Sequence, residues 1–306
     1  MIISIKAGVE NSFAEIFEEA TSMEPSSAGN SFQGSLAGSV MKTSSLDNPT
    51  VARFSLSSRA PRLTEAILLA ERIHVALVDL SDGSFIFTGC DNEGKPLKGH
   101  AHAYILSESN LALGRGRNGE ITHVTVYAAA GFGPVERDAL ENLREIHGLD
   151  VQLILMSLGL PGDIGGLDVS RGECPLLAES PIWISRTPFI STRHPKATRA
   201  GVPKVDRGLQ IGSPEHELRR LLRLEGFPEP VAVEPVSFTE LAGRRVGWAS
   251  FHRARSSGEG RRAGSAGYGF RIEFSKKVRG PVAVGYGAHF GMGGFTAEDN
   301  HNITDI

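Results

Sequence analysis

An α+β fold is predicted for this 306-residue chain by three features. Two stretches carry apolar residues at helical spacing, over 62–79 and 134–147. Short runs that alternate apolar and polar side chains separate them, in the order β-α-β-β-α-β. The pattern then loosens into a second half with one clear helix and several strands, ending on a segment dense in glycine.

The elements follow in order. Residues 1–50 are Ser/Gly-rich and acidic, with Glu10, Glu15, Glu18, Glu19, Glu24 and Asp47 against Lys6 and Lys42. They read as a poorly structured N-terminal arm or linker. Val51–Ser57 alternates, placing Phe54 and Leu56 opposite Arg53 and Ser55. Leu63, Ile67, Ala70, Ile73 and Leu77 make 62–79 an amphipathic helix. His100–Ser107 and Ile121–Ala129 are strands, joined by a polar Gly/Arg-rich loop over 108–120. Val135, Ala139, Leu143 and Ile146 share one face of a helix from Pro134 to His147, with Gly148 as its C-cap. Val151–Ser157, continuously apolar, reads as a central strand. The unit over 51–160 is therefore ferredoxin-like (RRM-like).

Over 161–306 the signals are a strand at Ile182–Ile190 and a helix capped by Ser213 with Pro214 in its first turn. Strand-like runs follow at 231–238, 246–254, 268–275 and 281–285. One helix and several strands fit a second, decorated ferredoxin-like domain with a C-terminal Gly-rich loop.

Composition narrows the class. Hydrophobic content of 40% and charged content of 22% fit a soluble globular protein. No apolar run approaches a membrane span, so no membrane partner is expected. Cys90 and Cys174 are far apart and form no Cys-x-x-Cys pattern, so neither a disulfide framework nor a thiolate zinc site is indicated and a reducing cytoplasm is the default. The net charge of −3 argues against a generic polyanion binder, yet residues 243–280 hold ten basic side chains opposed only by Glu259 and Glu273.

The histidines carry the chemistry. Alternation puts His100, His102 and Tyr104 on one face of their strand, and His123, Thr125 and Tyr127 on one face of the next. Helices cover one side of such a sheet, so these side chains are expected to crowd the open side, the alternative being that the second half of the chain buries that face. Imidazoles there can act as general base and general acid, because their pKa lies near working pH. RNA suits that chemistry because its own 2′-hydroxyl is an internal nucleophile. His123-Val124-Thr125 also has the His-x-Thr form of two-histidine phosphoesterases. Alternatively, His100, His102 and His123 together could hold zinc through three nitrogens.

Phosphate-binding signals sit further along. Arg193, His194 and Lys196 form a cationic turn after Thr187-Pro188-Phe189. Arg253 and Arg255 are expected on one strand face as a backbone-contacting stripe. Residues 280–295 contain six glycines in sixteen positions, with Tyr286 and His289 among them. Such a loop suits a ligand phosphate approached by backbone N–H groups, or a tight Gly-rich hairpin.

Gly99-His100-Ala101-His102-Ala103, the run from Ile121 to Tyr127 leading to Gly131-Phe132, Thr187-Pro188-Phe189 with Arg193-His194-Pro195-Lys196, and the ending Gly280 to Gly293 together resemble the fused Cas-five/Cas-six subunit of type I-U (I-G) CRISPR systems. The resemblance spans about residues 51–295 and lies on the Cas-six-like half. In place of a Cas-five-like half stand the fifty or so residues of the arm. The resemblance implies tandem ferredoxin-like domains, an RNA-contacting Gly-rich ending, and metal-independent cleavage of repeat RNA to 2′,3′-cyclic phosphate and 5′-hydroxyl ends without a cofactor. Its partners would be CRISPR repeat RNA or crRNA and other subunits of a type I effector complex.

The resulting expectation is a repeat-RNA endoribonuclease with His102 and His123 as the acid–base pair and His100 as the alternate. Arg193, His194 and Lys196 would hold phosphates, and Arg253, Arg255, Tyr286 and His289 would position the RNA. A guide-holding subunit without catalysis and the zinc hydrolase are the alternatives.

Overall fold

The computed structural model describes residues 48–57, 61–91, 93–95, 97, 102–109, 119–255 and 266–298. Most of the arm and His100 lie outside the described residues.

The first unit runs β1 (Val51–Leu56), α1 (Ala66–Leu80), α2 (Phe85–Thr88), β2 (Tyr104–Glu108), β3 (His123–Tyr127), α3 (Pro134–Asn142), β4 (Glu145–Ile146) and β5 (Val151–Gly159). Its sheet is antiparallel throughout, in the order β2-β3-β1-β5-β4. With the two-residue β4 set aside, that is the ferredoxin-like order expected from the sequence. Ala52, Phe54, Leu56, Ile105, Val124, Val126 and Leu153 line one face and pack on Ile67, Ala70, Ile73 and Leu77 of α1 and Ala139 and Leu140 of α3. These positions recur with period 2 on the strands and at helical spacing on α1, which is why the sequence settles into this layer.

Several bounds differ from expectation. The second helix stops at Asn142, because Leu143 turns extended (φ −72°, ψ 103°) and feeds β4. β5 lies next to that short edge strand rather than in the centre, leaving Ile154 and Met156 about half exposed (51% and 55%). An apolar run cannot by itself separate a central strand from a near-edge one.

The second unit follows a linker holding α4 (Pro161–Ile164). It contains β6 (Glu179–Ser185), β7 (Phe189–Ile190), the hairpin β8 (Val205–Asp206) and β9 (Leu209–Gln210), α5 (Pro214–Leu224), β10 (Ala232–Val236), the hairpin β11 (Phe238–Leu241) and β12 (Arg244–Gly247), β13 (Gly267–Arg279) and β14 (Phe295–Ala297). The sheet order β10-β13-β6-β14 repeats the first unit's order, strand for strand. Leu218 and Leu222 of α5 pack on Trp183, Phe270 and Phe274 of that sheet. Ser213 caps α5 by accepting from the His216 N–H at 3.3 Å.

Where the first unit has its second helix, this one has the glycine-dense segment and a single 3-10 turn, Ala288–Phe290. The strand expected at 281–285 is only one bridge, Ala283 to Gly294. The strand expected at 246–254 ends at Gly247 in a 3-10 turn, Trp248–Ser250, because the Trp248 indole folds back to donate to the Val236 carbonyl at 2.6 Å.

The sheet face expected to be open is covered. Val51, Tyr104 and Leu106 pack on Cys174, Leu176, Leu177, Ala283 and Ala288 from the second half of the chain. The seam between the units is thus built from the side of the first sheet that holds the polar strand residues. Among the described residues, no helix is long and apolar enough to cross a membrane.

Candidate nucleic-acid interface

β2 and β3 pair Tyr104 with Tyr127 at one end and Glu108 with His123 at the other. Four strand positions separate those ends, about 13 Å. His102 lies beyond the Tyr104 end. The two histidines expected to act together therefore stand apart, and one metal ion could not take both as ligands. Alternation sorts faces; it does not say at which end of a strand pair a residue falls.

The His123 end is an interior network. Arg53 donates through Nε and Nη2 to the Glu108 carboxylate at 3.1 and 2.7 Å, with both side chains buried. Thr125 donates its hydroxyl to the same carboxylate at 2.9 Å, and Arg53 Nη1 donates to the Gly172 carbonyl. Burial pushes the neighbouring Cys174 thiol up, and the Glu108 carboxylate adds to that. His123 is 3% exposed, with Nδ1 3.0 Å from the Thr122 hydroxyl.

The other end gathers a different set. The His102 and His289 rings stack with centroids 3.4 Å apart, and His289 also lies 4.0 Å from the Tyr104 ring. Tyr104 donates its hydroxyl to Glu225, the C-cap residue of α5, at 3.4 Å. Burial first, then Glu225, push the Tyr104 phenol well above its usual range, and the same two causes raise Tyr127. Both phenols stay protonated at working pH. His289 is half-buried, and its Nδ1 stands 3.3 Å from the Ala103 carbonyl oxygen. A carbonyl only accepts, so Nδ1 is the donor in this contact. A β-carbon on Gly89 would stand 3.0 Å from the His102 ring, so this turn closes one side of the pair.

The glycines around His289 have steric reasons. Gly291 (φ 79°) passes the first unit so closely that a β-carbon would sit 3.0 Å from the Ile105 carbonyl of β2. At Gly293 (φ 58°) a β-carbon would lie 1.9 Å from the Val284 carbonyl. Tyr286, expected to position RNA, is instead buried in the first unit's core, and its N–H donates to Ile190 at 3.0 Å.

The cationic turn lies along α5. Thr192 bonds Glu217 in the helix, and the Arg193 charge helps hold the Glu217 carboxyl below its ordinary value, after the bonds from Arg220 and Thr192. His194 and Lys196 are exposed, while Arg193 is half-buried. Glu217, which holds Thr192, and Glu225, which meets Tyr104, lie about 12 Å apart along the helix.

Arg253 and Arg255 do not share a strand face, since the chain there is irregular. Arg255 pairs with Glu71 of α1 at 3.1 Å and lies over the Phe290 ring at 4.5 Å. It is an anchor between α1 and the Gly-rich segment. His74, on the same turn of α1, lies 5.3 Å from Phe290. Burial, with Arg255 adding to it, lowers its pKa to about 4. Helical periodicity counted Ile73 and Leu77 and passed over this histidine.

No family model matches the chain, and no curated protein does. Several solved chains resemble it, among them these two. One, described as an RAMP protein binding different RNA substrates, is 11% identical, with a TM-score of 0.38, over 83% of this chain and 100% of that one. The other, a Cas6 product complex, is 15% identical, with a TM-score of 0.34, over 80% of this chain and 98% of that one.

Proposed function

We propose that this chain binds a CRISPR repeat RNA and cuts it by metal-independent transesterification. The observation that carries the reading is the stacked His102–His289 pair beside Tyr104 at the seam of two ferredoxin-like units. The sequence resemblance over residues 51–295 supports the substrate class. His289 Nε2 removes the 2′-hydroxyl proton, and the freed oxygen attacks the adjacent phosphorus in line. The 5′ oxygen leaves with a proton from His102 or from the Tyr104 hydroxyl, giving 2′,3′-cyclic phosphate and 5′-hydroxyl ends. His194 and Lys196, on the exposed turn beside α5, hold the phosphates. His123, bedded beside the Arg53–Glu108 pair, supports the sheet.

The second reading, an RNA-holding subunit without catalysis, is favoured by the burial of His102 and Tyr104, each 7% exposed. The deciding experiment is cleavage of a repeat RNA from the same genome with excess chelator, beside an RNA whose 2′-hydroxyl at the cut site is replaced by hydrogen. Cutting that survives chelator and stops in the deoxy RNA is the expected result. Binding without product would leave the holding reading. If cutting occurs, His289→Ala should abolish it and leave RNA affinity within about threefold, because the ring acts on a proton rather than as a main anchor.

A further inference from the structure

Arg186, immediately after β6, is a partly buried arginine to which the fold gives no carboxylate. Its Nη1 donates to the Glu240 carbonyl at 2.7 Å and the Thr239 hydroxyl at 3.4 Å, and its Nη2 to the Ser109 carbonyl at 2.9 Å. All three partners are neutral. Burial alone brings its pKa down to about 10. Arg53 and Arg220 show what this protein does elsewhere: each turns its Nε/Nη2 edge onto a glutamate, Glu108 and Glu217. At Arg186 the Nε–H has no acceptor among the described residues. A guanidinium offers five donors in a planar fork, and its side edge fits two oxygens of a phosphate as well as those of a carboxylate.

The surroundings suit an anion. Arg244 and Arg245 of the β11–β12 hairpin are exposed, and Arg245 lies over the Phe238 ring at 4.6 Å. Neither has a carboxylate within salt-bridge distance among the described residues. The Arg186 and Thr187 N–H groups both donate to the Gly294 carbonyl, at 2.9 and 3.2 Å. That places Arg186 where the exit of β2, the hairpin and the Gly-rich segment meet. The residue as a whole is half-buried and keeps part of its surface exposed.

We propose that Arg186 is a phosphodiester-binding subsite at the seam between the two units, with Arg244 and Arg245 extending it along the hairpin. The ligand class is a backbone phosphate of single-stranded RNA, and to that extent the proposal rests on the RNA-binding reading above. The competing role is purely structural: a clamp that ties Ser109 to Glu240 through their carbonyls.

The test is the affinity of the full chain for repeat RNA as a function of salt, for the wild type, Arg186→Gln and Arg186→Lys, with melting temperatures measured beside it. Arg186→Gln should weaken binding by about tenfold near 0.1 M salt and make the slope of log affinity against log salt shallower by about 0.7, the value of one phosphate contact on a single strand. Arg186→Lys should keep the slope and bind less tightly than wild type, because charge remains and the fork is lost. Wild-type affinity and slope in both variants would overturn the subsite and leave RNA binding standing. If Arg186→Gln fails to fold, the lysine variant decides alone, and unchanged affinity in it overturns the proposal. If the wild type binds no RNA, the functional reading fails. The subsite then stands or falls on inorganic phosphate, which must raise the melting temperature of wild type over chloride at equal ionic strength and not do so for Arg186→Gln.

Discussion

Arg53 and Glu108 bring two charges into the seam, each less than a tenth exposed, and the structure matches them with a bidentate bond and two further donors or acceptors. A buried pair of this kind contributes little over well-packed apolar side chains, but removing one member leaves an uncompensated charge. Glu108→Gln should therefore lower stability by about 3–5 kcal/mol, whereas Arg53→Met with Glu108→Leu should come within about 1–2 kcal/mol of wild type, measured by urea unfolding. His74 gives a second residue-scale expectation. Its pKa is near 6.5 in the unfolded chain and about 4 in the folded one. The unfolded state thus binds more protons between those values, so acid favours unfolding. Stability is unaffected by this group above pH 6.5, falls as pH drops from there, and has lost about 3 kcal/mol once pH is below 4. The charged groups near it are Arg255 and, paired to Arg255, Glu71. His74→Leu should flatten the drop between pH 7 and 5 in denaturant midpoints; an unchanged profile would mean that the histidine charges without cost. Neither effect was readable from sequence, because Arg53 and Glu108 are 55 residues apart and nothing in their spacing pairs them.

At the scale of elements, the glycine-dense segment separates what pattern reading can do from what it cannot. The density was visible and so was its place at the end of the chain. The reason for it was not, because it lies in the neighbours: the Ile105 carbonyl of β2 beside Gly291 and the Val284 carbonyl beside Gly293. The same limit explains the strand expected at 281–285, whose apolar residues belong to buried coil packed against both units. Helices fared better, since α1 and α5 carry their own period and caps; Ser213 and Pro214 mark the start of α5 in plain letters. A quantitative contrast follows. Gly293→Ala meets a left-handed φ and a carbonyl 1.9 Å from the new carbon, so the backbone must move. Gly83→Ala meets a similar φ with open space. The first should cost more than about 3 kcal/mol and the second about 1 kcal/mol, by the same unfolding measurement. Equal costs would mean that φ alone sets the penalty and that the segment does not press on its neighbours.

At the scale of the molecule, the repeated strand order was half legible. The first unit announced itself through two amphipathic helices, while the second hid its order because its second helix is absent and its fourth strand is only three residues long. What no local pattern revealed is that the two units share a face. Val51, Tyr104 and Leu106 of the first sheet have the second half as their cover, and the Gly172 carbonyl closes the Arg53 bond from the linker. Tyr286, Phe290 and Met292 of the Gly-rich segment sit in the first unit's core cluster rather than in the second's. Melting the second unit alone would thus strip the first of core side chains and expose a buried ion pair, a cost comparable to the whole stability of a domain. The protein should unfold in one calorimetric transition, with calorimetric and van't Hoff enthalpies in agreement. Phe290→Ala, placed in the segment that belongs to both units, should lower that single transition without splitting it. Two separate transitions in the wild type would mean that the seam is a surface contact between independent domains, and the histidine pair, which takes His102 from one unit and His289 from the other, would then form and break with that contact.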